Sequence, residues 1–181
     1  MRPTKPELAY CAGLFDGEGC IILQRHDISK WTRGATFVRG RRIRFALFLQ
    51  LKQVRPEPVQ FMHAVLGGRL GFRPRSGKQS HYAGEWIWYS HSGGAARILR
   101  ALRPYLRLKG EQADVAIRFQ KGKLSMDSPR GFKLGITDEE YAAREAAFEE
   151  LVRLKHCHND PITQAEYRRA GAGGVTIPVR V

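Results

Sequence analysis

The sequence lacks long apolar runs, has few cysteines and is short of acidic residues. No apolar stretch approaches the ~20 residues that span a bilayer, so we expect no membrane partner. The three cysteines, Cys11, Cys20 and Cys157, are an odd and scattered set, which is typical of a reducing compartment. The stretch MRPTKPEL has no apolar segment of the kind that secretory signals carry. We therefore expect an intracellular protein, in the cytoplasm, the nucleoid or an organelle, that is not secreted.

The shortage of acids leaves a large positive charge. The 31 Lys and Arg residues outnumber 17 Asp and Glu residues, which gives a formal net charge of +14 and a pI of about 10.3. A surplus of this size favours polyanionic partners. Nucleic acid is the leading candidate, since no basic amphipathic helix suited to a membrane surface dominates the chain.

Periodicity and turn signals predict an α+β fold, an antiparallel sheet backed by helices. The predicted order is helix, two strands, helix, two strands and helix, followed by C-terminal helices. We place the main unit in residues 1–120 and a helical extension in residues 121–159. A polar, glycine-rich tail in residues 160–181 is expected to be flexible.

The first predicted helix ends in two carboxylates, within the stretch 8-LAYCAGLFDGEGCIIL-23. Thr4 and Glu7 form a capping box that begins this helix. Asp16 and Glu18 lie at its far end, where the helix dipole disfavours negative charge unless a cation joins it. Carboxylate oxygens are ligands suited to Mg²⁺, and such an ion supports phosphodiester hydrolysis. The pattern favours a metal site at the end of the helix, beside a nucleic acid.

Small residues recur every four positions along the same helix, at Ala9, Gly13 and Gly17. This spacing places them on one side, where a second backbone can approach closely. Two interpretations remain open. The helix packs on its own sheet, or it packs on the same helix of a second chain, which would bring two acids together in a homodimer.

The most regular predicted strand runs from Arg42 to Lys52 and alternates with period two. One face suits a core and consists of Ile43, Phe45, Leu47, Leu49 and Leu51. The other face includes four polar or basic side chains, Arg42, Arg44, Gln50 and Lys52. Amide and guanidinium groups suit base edges and phosphates, so this face is a candidate DNA contact. A solvated sheet face is the alternative interpretation.

The residues 11-CAGLFDGEG-19 resemble the signature motif of the LAGLIDADG homing endonucleases. Glu18 stands at the second Asp of that motif and Gly17 at its Ala. The resemblance covers residues 4–120, including the segment 104-PYLRLKGEQA-113. It implies an αββαββα unit with a four-stranded, saddle-like antiparallel sheet. It also implies a site-specific DNA endonuclease that makes metal-dependent double-strand breaks at a long pseudo-palindromic target, as in intron homing.

The same resemblance implies roles for single residues in the active site. Glu18 would be the acid that binds the metal, and Gly17 would bind it through the backbone carbonyl. Gln53 would position a water molecule, and Lys109 would be a basic catalytic residue. Asp16 would be structural. The implied cofactor is Mg²⁺, with Mn²⁺ as a substitute and no small-molecule cofactor.

The resemblance further implies contacts with double-stranded DNA and with a second copy of the chain. The positions matching those that read the major groove are Gln24, His26, Arg44, Gln50, Arg73 and Arg75. Arg55 is the candidate for a second basic active-site residue. Because the sequence contains one copy of the motif, the resemblance implies a homodimer, with Ala9, Gly13 and Gly17 at the interface.

A non-cutting protein of the same fold, either an RNA maturase or a DNA-binding regulator, is the alternative function. Glu18, Gln53 and Lys109 are all present, which favours the enzyme. A generic RNA-binding protein would need exposed aromatic platforms or motifs that the sequence does not show. Trp86 and Trp88, which share one face of a predicted strand, are expected to pack in the core rather than stack on bases.

Overall fold

The computed structural model describes residues 3–27, 43–74, 84–126 and 137–156. Its first half contains α1 (Lys5–Glu18), β1 (Gly19–Asp27), β2 (Ile43–Gln53), α2 (Pro56–Leu66) and β3 (Arg69–Arg73). Its second half contains β4 (Glu85–His91), α3 (Ser92–Leu102), a 3-10 turn (Arg103–Tyr105), α4 (Gly110–Met126) and α5 (Asp138–His156). The predicted α+β class and αββαββα order are confirmed.

The four strands form one antiparallel sheet in the order β1-β2-β4-β3. In the longest pairing, Gly19 of β1 lies opposite Leu51 of β2, and His26 lies opposite Arg44. Because successive side chains point to opposite faces, this register divides the sheet into a face covered by helices and an open face.

The predicted core face of β2 is confirmed. Its described members, Phe45, Leu47, Leu49 and Leu51, are each 2% exposed or less. Trp88 of β4 is fully buried with them, and its indole Nε1 donates to the backbone oxygen of Gly67 at 2.7 Å. Trp86 also packs against the core. The expectation that the two tryptophans pack in the core is therefore confirmed.

The N-terminus of α1 has the predicted capping box. The Thr4 hydroxyl accepts from the backbone N–H of Glu7 at 3.4 Å, and the backbone N–H of Thr4 donates to the Glu7 carboxylate at 2.7 Å. Gly19 follows the helix with φ −77°, an ordinary extended conformation. A Cβ at Gly19 would lie 2.2 Å from a ring carbon of Phe15, so close packing, and not a left-handed backbone, favours glycine there.

Helix α5 packs against the covered face and against α4. Its Leu151 is 2% exposed, and the ring of Phe148 lies 6.2 Å from that of Phe45. Arg25 on β1 forms an ion pair with Glu145 of α5 at 3.3 Å. The predicted extension therefore shares the core of the main unit, and α4 continues past the expected boundary at residue 120. The predicted flexible tail lies outside the described residues.

In the part of the chain that the structure describes, no helix is long and apolar enough to cross a membrane.

Candidate functional site

Asp16 lies near the C-terminal end of α1 and is 7% exposed. Its carboxylate accepts hydrogen bonds from three successive backbone N–H groups, those of Arg107, Leu108 and Lys109, at 2.6, 3.2 and 2.9 Å. A buried carboxylate is costly unless such donors compensate for the lost water. The long-range donors thus account for an acid at the unfavourable end of the helix. They agree with the structural role expected for Asp16.

Lys109 is held at the same helix end by its side chain as well as its backbone. Its Nζ donates to the backbone oxygen of Asp16. The carbonyl groups of the last helical turn have no partner within the helix, and the dipole favours a cation there. Asp16 therefore holds Lys109 by two contacts. Its carboxylate accepts from the backbone N–H of Lys109, and its backbone carbonyl accepts from the Lys109 side chain.

Glu18 differs from Asp16 in being exposed, as the last residue of α1. Among the described residues, no three His, Cys, Asp or Glu side chains lie close enough together to hold a metal ion. A closed protein cage is therefore not formed within one described chain. Mg²⁺ usually keeps several waters and binds one or two carboxylates together with substrate phosphates. One exposed carboxylate, with the carbonyl of the adjacent exposed Gly17, fits that mode of binding.

The three residues expected in catalysis lie toward the same end of the sheet. Glu18 directly precedes Gly19, which lies opposite Leu51 of β2, and Gln53 is the last residue of that strand. Gln53 lies opposite Trp86 and is half-buried. The side chain of Lys109 lies at this end because its Nζ donates to the backbone oxygen of Asp16. The structure therefore gathers there residues that are far apart in the sequence.

The stripe of small residues on α1 faces away from the chain's own sheet. Ala9, Gly13 and Gly17 are exposed, and a Cβ added at either glycine would meet nothing within 4 Å. The opposite side of α1, with Cys11 and Phe15, is fully buried. Helix α1 therefore does pack on the chain's own sheet, as one interpretation expected, but through this opposite side, and the stripe takes no part in that contact.

The open face of the sheet carries the described members of the predicted DNA contacts. These are Gln24, His26, Arg44, Gln50, Lys52 and Arg73, all half-buried or exposed. The side chains of Gln24 and His26 lie 3.1 Å apart, within hydrogen-bonding distance. Arg42 and Arg75 lie outside the described residues. The open face has the polar and basic character expected from the alternation of β2.

No protein-family model matches the sequence, and no curated protein matches it. Solved structures do match. The homing endonuclease I-CvuI, in complex with its target in the presence of calcium, has a TM-score of 0.59 and 18% identity, over 95% of this chain and 97% of that one. The archaeal intron-encoded homing endonuclease I-Vdi141I, complexed with DNA, has a TM-score of 0.53 and 13% identity, over 80% and 83%. The LAGLIDADG homing endonuclease I-GzeII, in complex with a DNA target, has a TM-score of 0.51 and 11% identity, over 96% and 50%.

This chain has the fold of the LAGLIDADG homing endonucleases. The resemblance first seen in residues 11–19 is thereby confirmed for the fold as a whole. Within this LAGLIDADG fold, the motif residues form the second half of α1 and the first residue of β1.

Glu85 lies on the open face of the LAGLIDADG fold and was not among the predicted site residues. Its carboxylate forms an ion pair with Arg73 and lies 3.9 Å from the Nζ of Lys52. Two of the predicted DNA contacts are therefore paired with an acid. Because the side chains of β4 alternate, Glu85 and Tyr89 share one face of the strand and the two tryptophans share the other. Only the register with β2 shows that the face with Glu85 is the open one.

An aromatic pair also occupies the open face. The rings of Phe48 and Tyr89 are stacked with their centroids 5.9 Å apart. Phe48 lies opposite Ile22 in the neighbouring strand, so the middle of the face is apolar. Apolar side chains can contact the methyl group of thymine, whereas guanidinium groups select guanine. The period-two pattern of β2 is enough to predict that Phe48 lies on the open face, since it shares a face with Arg44 and Gln50.

Proposed function

We propose that this protein is a site-specific DNA endonuclease that makes metal-dependent double-strand breaks at a long pseudo-palindromic target, as a homodimer. The observation that carries this proposal is the exposed carboxylate of Glu18 at the end of α1, where the Nζ of Lys109 donates to the backbone oxygen of Asp16. Glu18 and Lys109 lie at one end of a sheet whose open face carries polar and basic side chains on both sides of an apolar middle. The structural neighbours I-CvuI and I-Vdi141I are homing endonucleases, the first in complex with its target and the second complexed with DNA, which supports the proposal.

In the proposed reaction, Glu18 and the carbonyl of Gly17 would hold Mg²⁺, for which Mn²⁺ would be a substitute. The bound ion would supply hydroxide from water and stabilise the leaving oxygen. Gln53 would orient the attacking water through its amide group. Lys109 would place its positive charge near the scissile phosphate, where negative charge develops in the transition state. Asp16 keeps Lys109 at the end of α1 and does not itself contact the phosphate.

The open face of the sheet would lie in the major groove. Arg44 is exposed there and would hydrogen-bond a base edge. Arg73 and Lys52 would have to exchange their contact with Glu85 for contacts with DNA. Such an exchange weakens non-specific binding, because Glu85 also repels phosphates. Glu85 would therefore raise the selectivity of the face at some cost in affinity.

The number of acids in one chain and the exposed side of α1 support the proposed homodimer. Cutting two strands at a central site requires two acids, and each chain supplies one exposed Glu18 at the end of this helix. Gly13 and Gly17 leave room for a second backbone, and Tyr10 beside them is 54% exposed. This chain spans 97% of I-CvuI but 50% of I-GzeII, so it corresponds to one half of the longer chain.

The interface is tested by Gly13→Leu, with Gly93→Leu as the matched control. Both glycines lie in helices and a Cβ at either meets nothing within 4 Å, so both variants should fold. A leucine at Gly13 holds the two helices apart, so that variant should be monomeric and should not cut both strands. Gly93→Leu, away from the stripe, should remain dimeric and active. Sedimentation and cleavage are measured together, and a folded Gly13→Leu dimer with normal cutting would contradict the interface.

The activity is tested by exposing a library of random DNA duplexes to the wild-type protein with Mg²⁺. The proposal predicts that sequencing of the cut ends recovers one long, nearly two-fold symmetric site cut on both strands, and that a chelator abolishes cutting. Selective DNA binding without cutting would favour a regulator. Selective binding of structured RNA without cutting of DNA would favour a maturase.

A further inference from the structure

A cavity beside the candidate active site contains two lysines. Its volume is about 280 Å³, and it is lined by Cys20, Leu108, Lys109, Gln112 and Lys155. One water occupies about 30 Å³ in the liquid, so the cavity has room for a small hydrated group. Its lining contains no acidic side chain.

Lys155 reaches this cavity from α5, the helix of the C-terminal extension. Its Nζ lies 3.8 Å from the Sγ of Cys20, which is only a weak hydrogen-bond acceptor. Across the described ranges of the chain, Lys155 forms no ion pair with a carboxylate. Two lysines that line one cavity make its electrostatic potential positive, which favours the binding of an anion there.

The cavity is adjacent to the end of α1. Cys20 follows Glu18 by two residues, and Lys109 donates to the backbone of Asp16. Gln112 adds an amide group, which can donate two hydrogen bonds. Lysine is a common phosphate ligand because its ammonium group acts as a compact point charge. The lining therefore matches the chemistry of a phosphodiester and not that of a metal cation.

We propose that Lys155, together with Lys109 and Gln112, binds one backbone phosphate of the DNA beside the scissile bond. This inference rests on the proposed function, and it gives α5 a direct role in binding the substrate. The packing of Leu151 and Phe148 against the core holds the end of α5 next to β1, which is why Lys155 can reach the site.

The test compares Lys155→Met with Arg153→Met. Each change removes one positive charge and keeps an extended side chain, and Arg153 is an exposed residue of the same helix outside the cavity lining. Binding of the selected duplex, which is the DNA site recovered from the random library, is measured without divalent metal at several salt concentrations. Losing one phosphate contact should reduce the slope of log K against log salt by about 0.9 per protomer. We expect this reduction for Lys155→Met, an unchanged slope for Arg153→Met, and restoration by Lys155→Arg.

Thermal unfolding of each variant shows whether a reduced salt dependence of DNA binding results from unfolding of the variant. A folded Lys155→Met protein with the wild-type slope and affinity would overturn the inference while leaving the proposed function intact. An equal loss of slope in both variants would also overturn it, because it would indicate a general charge effect. A wild-type protein that binds no duplex at all would instead overturn the proposed function.

Discussion

The two ends of α1 are stabilised in different ways. At the N-terminus, Thr4 and Glu7 satisfy each other across three residues of sequence. At the C-terminus, Asp16 accepts from N–H groups that lie 91 to 93 residues further along the chain, and Glu18 is exposed. The first end can form from local sequence alone, whereas the second is completed only by the folded chain. Asp16 therefore connects the end of the helix to Lys109, and Glu18 belongs to the candidate site. Neither acid stabilises the helix itself.

The largest effect on stability is expected for Asp16→Ala. This change leaves three backbone N–H groups without their acceptor, and each such loss costs about 1–3 kcal/mol. We predict that urea unfolding shows a decrease of about 3 kcal/mol or more in the free energy of unfolding. DNA cutting should also fall, because Lys109 loses its position. A decrease below about 1 kcal/mol would show that the C-terminal end of α1 depends on its long-range contacts no more than the N-terminal end depends on its local cap.

A smaller effect is expected for Thr4→Ala, which removes the local cap. The loss of an N-cap hydroxyl typically costs about 1 kcal/mol. The free energy of unfolding should fall by that amount, and cutting should be unchanged under conditions where the variant is folded. Because Thr4 and Asp16 share no partner and lie at opposite ends of α1, the two changes should add within about 0.5 kcal/mol. A larger coupling energy in the double variant would show that the two ends are not independent.

The smallest effect concerns the titration of Glu7. Hydrogen bonds from the backbone and then the side chain of Thr4 hold the pKa of Glu7 below its ordinary value of 4.5. A depressed pKa in the folded state means that this contribution to stability is present above about pH 4.5 and is lost as the pH falls through the folded pKa. NMR titration of Thr4→Ala should show the pKa of Glu7 rising part of the way toward 4.5, because the variant loses the side-chain hydrogen bond and keeps the backbone N–H of residue 4. An unchanged pKa in that variant would contradict the reciprocal hydrogen bonding.

The elements that the sequence predicts well are those with local signals. The capping box at Thr4, the alternation of β2 and the motif around Glu18 are all contained in short windows, so the observed ends of α1 and β2 lie close to the predicted ones. The partners of Asp16 could not be predicted in this way, since backbone N–H groups in a distant connector leave no pattern of their own.

The remaining features of the site depend on register and helix packing. Glu85 is recognisable as part of the open face only when β4 is aligned with β2, because a shift of one residue would reverse the face. Lys155 lies near the end of a long helix, and only the packing of α5 beside β1 brings it to Cys20. Both are consequences of tertiary structure that single-sequence periodicity does not contain.

The most direct measurement is the cutting of the selected duplex by Glu18→Gln alongside the wild-type protein, with DNA binding measured in the same samples. Glu18 is exposed, so the change should alter the free energy of unfolding by no more than about 0.5 kcal/mol, in contrast to Asp16→Ala. The glutamine keeps the shape of the side chain and removes the charge that would bind the metal. We predict that Glu18→Gln binds the duplex as a dimer and cuts neither strand. Cutting by Glu18→Gln at the wild-type rate would contradict the assignment of Glu18 as the metal-binding acid.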